Sequence, residues 1–403
     1  MGPIARLVAL AGLLVSLAAM SSLADEPRLT PEEFAILPWG RTPGDDKVLR
    51  EVYDCGFNLA GFVAPDGVDA VGRAGLKCIV SDERITSGVA EGLADEAAVA
   101  DRVARAVGPL RDHPAVYGWY LRDEPAAGAY DMLAAWSRAV RATAPNHRPY
   151  INLFPIYATK QGLGVDTYGQ YVDLFATKVR PAFLSYDNYS LMADGSLRDG
   201  YFENLEVMRA ASLKHGMPFW NIVLSNGHFR YSEPTEAGLR FQMYTTLAYG
   251  GRGISYFTYF TPPIGNYRLG PIDPFGDKTP TWHALRRTNL QIHKLGPTYL
   301  RLTSVNVFHH PDVPQGCAPI ASAKVVGAVG GGDFCVGEFT GPDERPFAMV
   351  VNKSLRESCR FSVTFKAPGR VQMVNPYSGG TQAWAGENDW LAPGQGMLLT
   401  VEP

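Results

Sequence analysis

Eight times between Pro27 and about Pro297 the chain alternates a short apolar run with an amphipathic stretch, and this repeat constrains the fold more than any other feature. The runs are Phe34–Pro38, Phe57–Val63, Leu76–Ser81, Val116–Arg122, Pro149–Leu153, Phe183–Tyr189, Phe219–Ser225 and Gly253–Phe260. Each is rich in β-branched or aromatic residues and lacks strict polar alternation, the pattern of parallel strands buried on both faces. Between them, apolar residues return at helical spacing. Val48, Leu49, Val52 and Cys55 end at Gly56; Val99, Val103 and Val107 end at Gly108-Pro109; Leu133, Trp136 and Val140 stop at Ala144-Pro145. Phe202, Leu205 and Met208 precede Gly216, and Leu239, Met243 and Leu247 precede Gly250. A last helix opens at Thr279-Pro280, carries Trp282, Leu285, Ile292 and Leu295, and closes at Gly296-Pro297. Eight strand–helix units predict an α/β chain folded as a (β/α)8 TIM barrel over residues 25–298. A doubly wound open sheet is the alternative, but its Gly-rich first turn is missing after Phe34–Trp39.

From about Thr303 the helical period disappears. Phe347–Val351, Arg360–Phe365, Val371–Val374 and Met397–Val401 are β-branched runs separated by Gly, Pro and Asn, so residues 299–403 are expected to form a small antiparallel β-sandwich. The Gly-rich stretch Val326–Gly332 opens no helix and reads as a hairpin turn rather than a phosphate loop. At the other end, Arg6, the apolar run Leu7–Leu14 and the small residues of Ser22-Leu23-Ala24 predict a signal peptide over residues 1–24, cut before Asp25. A secreted or periplasmic protein follows, with no membrane insertion once the leader is removed. In such a compartment Cys317, Cys335 and Cys359 have the means to form one disulfide, with Cys317–Cys335 the preferred pair, whereas Cys55 and Cys78 read as small core residues.

The charge balance narrows the function. Thirty-seven Lys and Arg against 40 Asp and Glu leave a net charge of −3, and no basic run is present to neutralise phosphates, so nucleic acid is not expected as a partner. The eight His are dispersed, and neither they nor the cysteines have metal-site spacing; no metal or cofactor is indicated.

Barrel active sites lie at the C-terminal ends of the strands, so the residues ending the eight runs are the candidates. They are Trp39 and Arg41 after the first, Asp82 and Glu83 after the third, and Arg122, Asp123 and Glu124 after the fourth. Asn152 ends the fifth, Tyr186, Asp187, Asn188 and Tyr189 the sixth, and Asn226 and His228 follow the seventh, beyond Trp220. Tyr256 and Tyr259 belong to the eighth. Acids, amides and aromatic faces dominate, and sugars are read by that inventory: amides and acids bond hydroxyls while rings stack on C–H surfaces. Glu124, beside Asp123 and several aromatics, has the surroundings that raise a carboxyl pKa toward that of a general acid. Its bland reading is a charge that caps the next helix, with Arg122 as ion-pair partner. Trp39 and Trp220 fit core packing as well as a sugar subsite.

The segment Tyr117-Gly118-Trp119-Tyr120-Leu121-Arg122-Asp123-Glu124-Pro125 resembles the Asn-Glu-Pro signature of clan-A (β/α)8 glycoside hydrolases. The resemblance implies Glu124 as acid/base. Asp123 stands where that clan has the Asn that bonds the sugar 2-hydroxyl. The clan's second carboxylate, a Glu ending strand seven, has no counterpart in Phe219–Asn226; Glu236, the nearest candidate with Glu233, reads as an early-turn helix residue. A substitute lies on strand six, where Leu184-Ser185-Tyr186-Asp187-Asn188-Tyr189 resembles the Met-x-Tyr-Asp element of family 18 chitinases. That likeness implies Tyr186 and Asp187 as substrate-orienting groups, or Asp187 as the second carboxylate; an ion pair between Asp187 and Arg122 is the competing reading.

The leading expectation is therefore a glycoside hydrolase acting on a polysaccharide or glycan, with Glu124 and Asp187 catalytic and Asp123, Arg122, Trp39, Asn152, Tyr186, Tyr189, Trp220, Asn226, His228 and Tyr259 binding substrate. Two rivals remain. One is a non-catalytic glycan-binding protein on a decayed barrel, which the missing strand-seven Glu supports. The other is a polysaccharide lyase with Tyr186 or His228 as base.

Overall fold

Strand β1 (Ala35–Pro38) pairs with β8 (Gly253–Phe257), and the sheet then runs through β7 (Phe219–Leu224), β6 (Leu184–Asp187), β5 (Arg148–Leu153), β4 (Val116–Asp123) and β3 (Lys77–Val80) to β2 (Leu59–Val63). The computed structural model describes residues 28–385 and 389–402, so the leader expected over residues 1–24 lies outside the described residues. All seven ladders are parallel. Asn58 closes the remaining seam between β1 and β2: its backbone N–H donates to the Ile36 carbonyl at 3.3 Å, and its Oδ1 accepts from the Ile36 N–H at 2.8 Å. The chain thus forms the (β/α)8 TIM barrel that its repeat predicts.

Each strand is buried on both faces. Leu37, Leu59, Ile79, Tyr117, Tyr150, Phe183 and Trp220 fill the barrel interior, while Ile36, Ala60, Cys78, Trp119, Leu184 and Tyr186 pack outward beneath the helices. The helices start where short polar side chains satisfy their free N–H groups: Asp45 accepts from Val48, Asp95 from Ala98, and Thr167 and Gln170 form a capping box. Gly216 stops the helix Tyr201–His215 in a left-handed conformation, φ +63°. The final helix does not stop at Gly296-Pro297 but continues to Tyr299. Pro297 falls in its last turn, where the missing N–H costs one hydrogen bond and the helix tolerates it.

Beyond this helix, seven strands form a mainly antiparallel sheet in the order Ala318–Pro319, Thr303–His310, Phe334–Thr340, Pro346–Asn352, Gly396–Glu402, Arg370–Val374 and Thr381–Ala383. Two short ladders, Val326–Gly330 with Ser362–Phe365 and Cys359–Arg360 with Trp390–Leu391, complete a second core around Phe308, Phe334, Val350, Phe361 and Leu399. Val326–Gly330 is thus a strand, not a hairpin turn; it pairs with Ser362–Phe365 rather than with the strand that follows it, and Gly331 after it has φ +98°. The sheet's other face shares the barrel's core, because Phe339, Met349 and Leu398 cluster with Phe241 and Leu247 of the helix Glu236–Ala248.

The expected disulfide is not formed. All five thiols are free, Cys335 inside its strand and Cys317 beside the Tyr249 hydroxyl at 3.6 Å. Cys55 and Cys78 are buried core residues. Among the described residues no helix is long and apolar enough to cross a membrane.

Candidate active site

Where β4 ends, the chain makes a conformational exception. A register shift between Tyr120 and Arg122 precedes Asp123, and Glu124 follows with φ +45°, a left-handed conformation that a non-glycine residue adopts at a cost. Its N–H is fixed by the Asn152 carbonyl at 2.9 Å. Neither acid caps a helix, since the turn Ala127–Ala129 and the helix Tyr130–Thr143 have no side-chain cap.

Asn152, at the end of β5, is the hub. Its Nδ2 donates to Asp123 Oδ1 at 3.0 Å and to Asp187 Oδ1 at 2.9 Å, so one amide spans two acids from two other strands. Its Oδ1 accepts from Ser185 Oγ at 3.1 Å, and that hydroxyl is 3.0 Å from the Tyr150 hydroxyl. This chain orients the amide: with Oδ1 committed to a hydroxyl, both Nδ2 protons face the acids. Ser185 and Asp187 reach the interior because they alternate with Leu184 and Tyr186 along β6.

The Asp187 and Glu124 carboxyls are hydrogen-bonded to each other. Two acids in contact cannot both be ionised cheaply, so the pair retains a proton. Burial, then the Asp123 charge, pushes Glu124 up to about 7. Burial, then repulsion from Glu124 and Asp123, holds Asp187 well above the usual carboxylate range, and the bond to Glu124 raises it further. Asp187 is the more deeply buried of the two, only 5% exposed. Asp123 is raised too, by burial, against the opposing Asn152 bond and the Arg122 charge. Arg122 itself is exposed and forms no ion pair with Asp187.

Rings surround the acids. Tyr189 stacks on Phe257 at 5.3 Å, and its N–H donates to the Tyr157 hydroxyl at 3.5 Å. Trp39 meets Phe62 edge-on at 5.1 Å and Phe257 at 5.5 Å. His228 lies 5.4 Å from Phe257 and stacks on Tyr267 at 5.1 Å. Burial and the Arg268 charge push this imidazole down to about 4, and Asn226 Oδ1 holds its Nδ1 at 3.0 Å. Asn226 is fully buried and also bonds Thr258, so it serves His228 rather than an open cleft.

Three residues expected at the site lie elsewhere. Tyr186 is wholly buried in the layer between barrel and helices, because its position on β6 has the opposite parity to Asp187. Trp220 stands near the start of β7, at the barrel floor, stacked on Phe183 at 3.7 Å with an interplanar angle of 7°. Gly253 is needed there, since a Cβ would sit 2.5 Å from the Trp220 ring. Tyr259 follows β8 and packs on Phe57 behind the barrel, its hydroxyl accepting from Trp282 Nε1 at 2.9 Å. In their place the structure brings Tyr150, Tyr157, Ser185 and Phe257 to the acids and rings. Phe257 was legible from the aromatic run of β8; Ser185, whose inward parity the apolar run hides, and Tyr157, on a loop, had no such signal. Glu236 does begin a helix, paired with Arg240 and Arg287, so strand seven contributes no acid. Among the described residues no three His, Cys, Asp or Glu side chains gather as a metal site would require.

No protein-family model and no curated protein matches this sequence. Solved structures do. A glycoside hydrolase family 5 protein from Bacteroides vulgatus ATCC 8482 aligns with TM-score 0.60 and 13% identity over 92% of this chain and 89% of its own. A beta-galactosidase from Bacillus circulans sp. alkalophilus aligns with TM-score 0.60 and 9% identity over 92% and 99%. The likeness is one of fold. A beta-galactosidase from the psychrophilic Marinomonas ef1 matches at TM-score 0.50 and 11% identity over 68% of this chain, which spans only 62% of that protein.

Proposed function

We propose that this protein is a secreted or periplasmic glycoside hydrolase that cleaves O-glycosidic bonds of a polysaccharide or glycan, with Glu124 delivering the proton to the leaving oxygen. The observation that carries the reading is the pairing of Glu124 with Asp187, the latter held by Asn152, at the C-terminal mouth of the barrel. A carboxyl lifted to about 7 is protonated often enough near neutrality to act as an acid, yet ionises readily enough to act as a base afterwards. The structural neighbours that are glycoside hydrolases support the same reaction class. With the pair's proton on Glu124, the ionised Asp187 either attacks the anomeric carbon as the protonated leaving oxygen departs or orients a substrate N-acetyl group.

The lyase alternative loses one of its bases, since Tyr186 is sealed behind the barrel, and His228 is engaged by Asn226. A glycan-binding protein on the same barrel keeps one argument, the acid-free end of β7. Glu124→Gln separates the readings. It should lower hydrolysis, measured as reducing ends released across a polysaccharide panel, by at least about a thousandfold while the fold and glycan retention persist. Near-wild-type release by this variant removes Glu124 from the mechanism, and retention without release by the wild type supports the binding protein.

A further inference from the structure

Two of the large apolar side chains that reach solvent, Phe229 and Leu269, hold a left-handed backbone, and Phe229 is the more exposed. It follows His228 beyond β7, exposes 71% of its surface, and holds φ at +44°, a conformation that is a marked outlier for a bulky residue. Glycine or asparagine would occupy that position without the penalty. The strained backbone is nonetheless held from both sides by one amide: the Phe229 N–H donates to Asn266 Oδ1 at 2.7 Å, and Asn266 Nδ2 donates to the Phe229 carbonyl at 3.3 Å. Thus a clamp from the loop after β8 fixes a ring that buries little of its own surface. Strain kept by its surroundings without a packing gain points to a role outside the folded core.

The ring is also continuous with the site. From Tyr189, whose neighbours include the acids, ring contacts run to His228 at 5.9 Å and from His228 to Phe229 at 5.2 Å. His228 itself is only 3% exposed, so it links the two rings rather than facing a ligand. An exposed ring joined in this way to a carboxyl pair suits the C–H face of a sugar lying just outside the site.

We propose that Phe229 is the stacking platform of an outer subsite, two ring contacts from the acid site, that makes a glycan chain rather than a single terminal sugar the substrate. The inference rests on the glycoside hydrolase reading for its substrate class. Three variants test it: Phe229→Ala removes the ring, Phe229→Trp restores one, and Phe229→Gly removes the ring while relieving the backbone. Affinity electrophoresis through gels containing β-glucan, xylan, galactomannan or pectin, with all variants built on Glu124→Gln, measures binding; release of reducing ends from the same polymers and from aryl monoglycosides measures turnover.

The expected result is a loss of polymer affinity of tenfold or more in the Ala and Gly variants, recovery in the Trp variant, and unchanged rates on aryl monoglycosides. Phe229→Gly should at the same time melt at a higher temperature than the wild type, a movement opposite to its affinity that a merely structural ring would not produce. Equal polymer affinity and turnover in Phe229→Ala and wild type overturns the platform and leaves the hydrolase reading standing. Ring-dependent retention with no turnover by the wild type keeps the platform and overturns hydrolysis. No retention by any of the polymers, with Phe229-dependent binding to lipid vesicles or to a second copy of the chain instead, overturns the platform.

Discussion

The two ends of the barrel interior are built from the same strands yet could hardly differ more. At the floor, Tyr117 of β4 and Trp220 of β7 join Phe183, which precedes β6, in a ring-filled plug, with Phe183 and Trp220 face to face at 3.7 Å. At the mouth, β4, β5 and β6 end in Asp123, Asn152 and Asp187, joined by hydrogen bonds of 3.0 and 2.9 Å. The floor gains by removing apolar surface from water. The mouth keeps acids in low-dielectric surroundings, at a cost in stability that raises their pKa values and prepares them to exchange a proton. One end holds the cylinder together while the other is free to carry chemistry.

Substitutions can break that division. Trp220→Ala should have the largest energetic effect, about 3–5 kcal/mol of stability by chemical denaturation, because it opens a cavity between Phe183 and Gly253. Its rate per folded molecule should stay near wild type; a selective loss of turnover would mean that the floor takes part in the site. Asp187→Asn should reverse the pattern, lowering turnover about a hundredfold. Its stability should respond to pH in a defined direction. A carboxyl whose folded pKa is raised contributes stability fully present below its unfolded pKa and lost as pH rises through the folded value. The asparagine cannot ionise, so the variant should lose less stability than wild type as pH rises above about 4, the ordinary value of an unfolded carboxyl, and parallel stability-against-pH curves would contradict the raised Asp187. Ser185→Ala should have the smallest effect, about 1 kcal/mol for one hydrogen bond, seen as a roughly fivefold lower rate. The variant should also shift the pH–rate profile, since Asn152 becomes free to turn its oxygen toward the acids; an unchanged profile would reduce Ser185 to packing.

The strand positions were legible because a parallel strand buried on both faces leaves an unmistakable apolar run. The observed elements Val116–Asp123 and Phe219–Leu224 depart from their expected bounds by a single residue. The site was legible only where a residue stood at a strand's C-terminal end, as with Glu124, Asn152 and Asp187. Tyr186 and Trp220 were misplaced for two different reasons. Run-like strands carry no polar alternation to reveal parity, so Tyr186 and Asp187 looked equivalent; and Trp220 belonged to a run whose polar end lies several residues later. The Cys317–Cys335 pairing rested on compartment and spacing, neither of which measures the approach of two sulfurs.

By itself the sequence determined the eightfold alternation, and with it the cylinder and the height of Glu124 within it, because apolar periodicity is a local property that burial must satisfy. Only the tertiary structure decided which acid faces Glu124, since that depends on the register shift in β4, the parity of β6 and an amide from β5 reaching both. A proton shared between side chains sixty-three positions apart is a property of distance in space, and chain order carries no record of it.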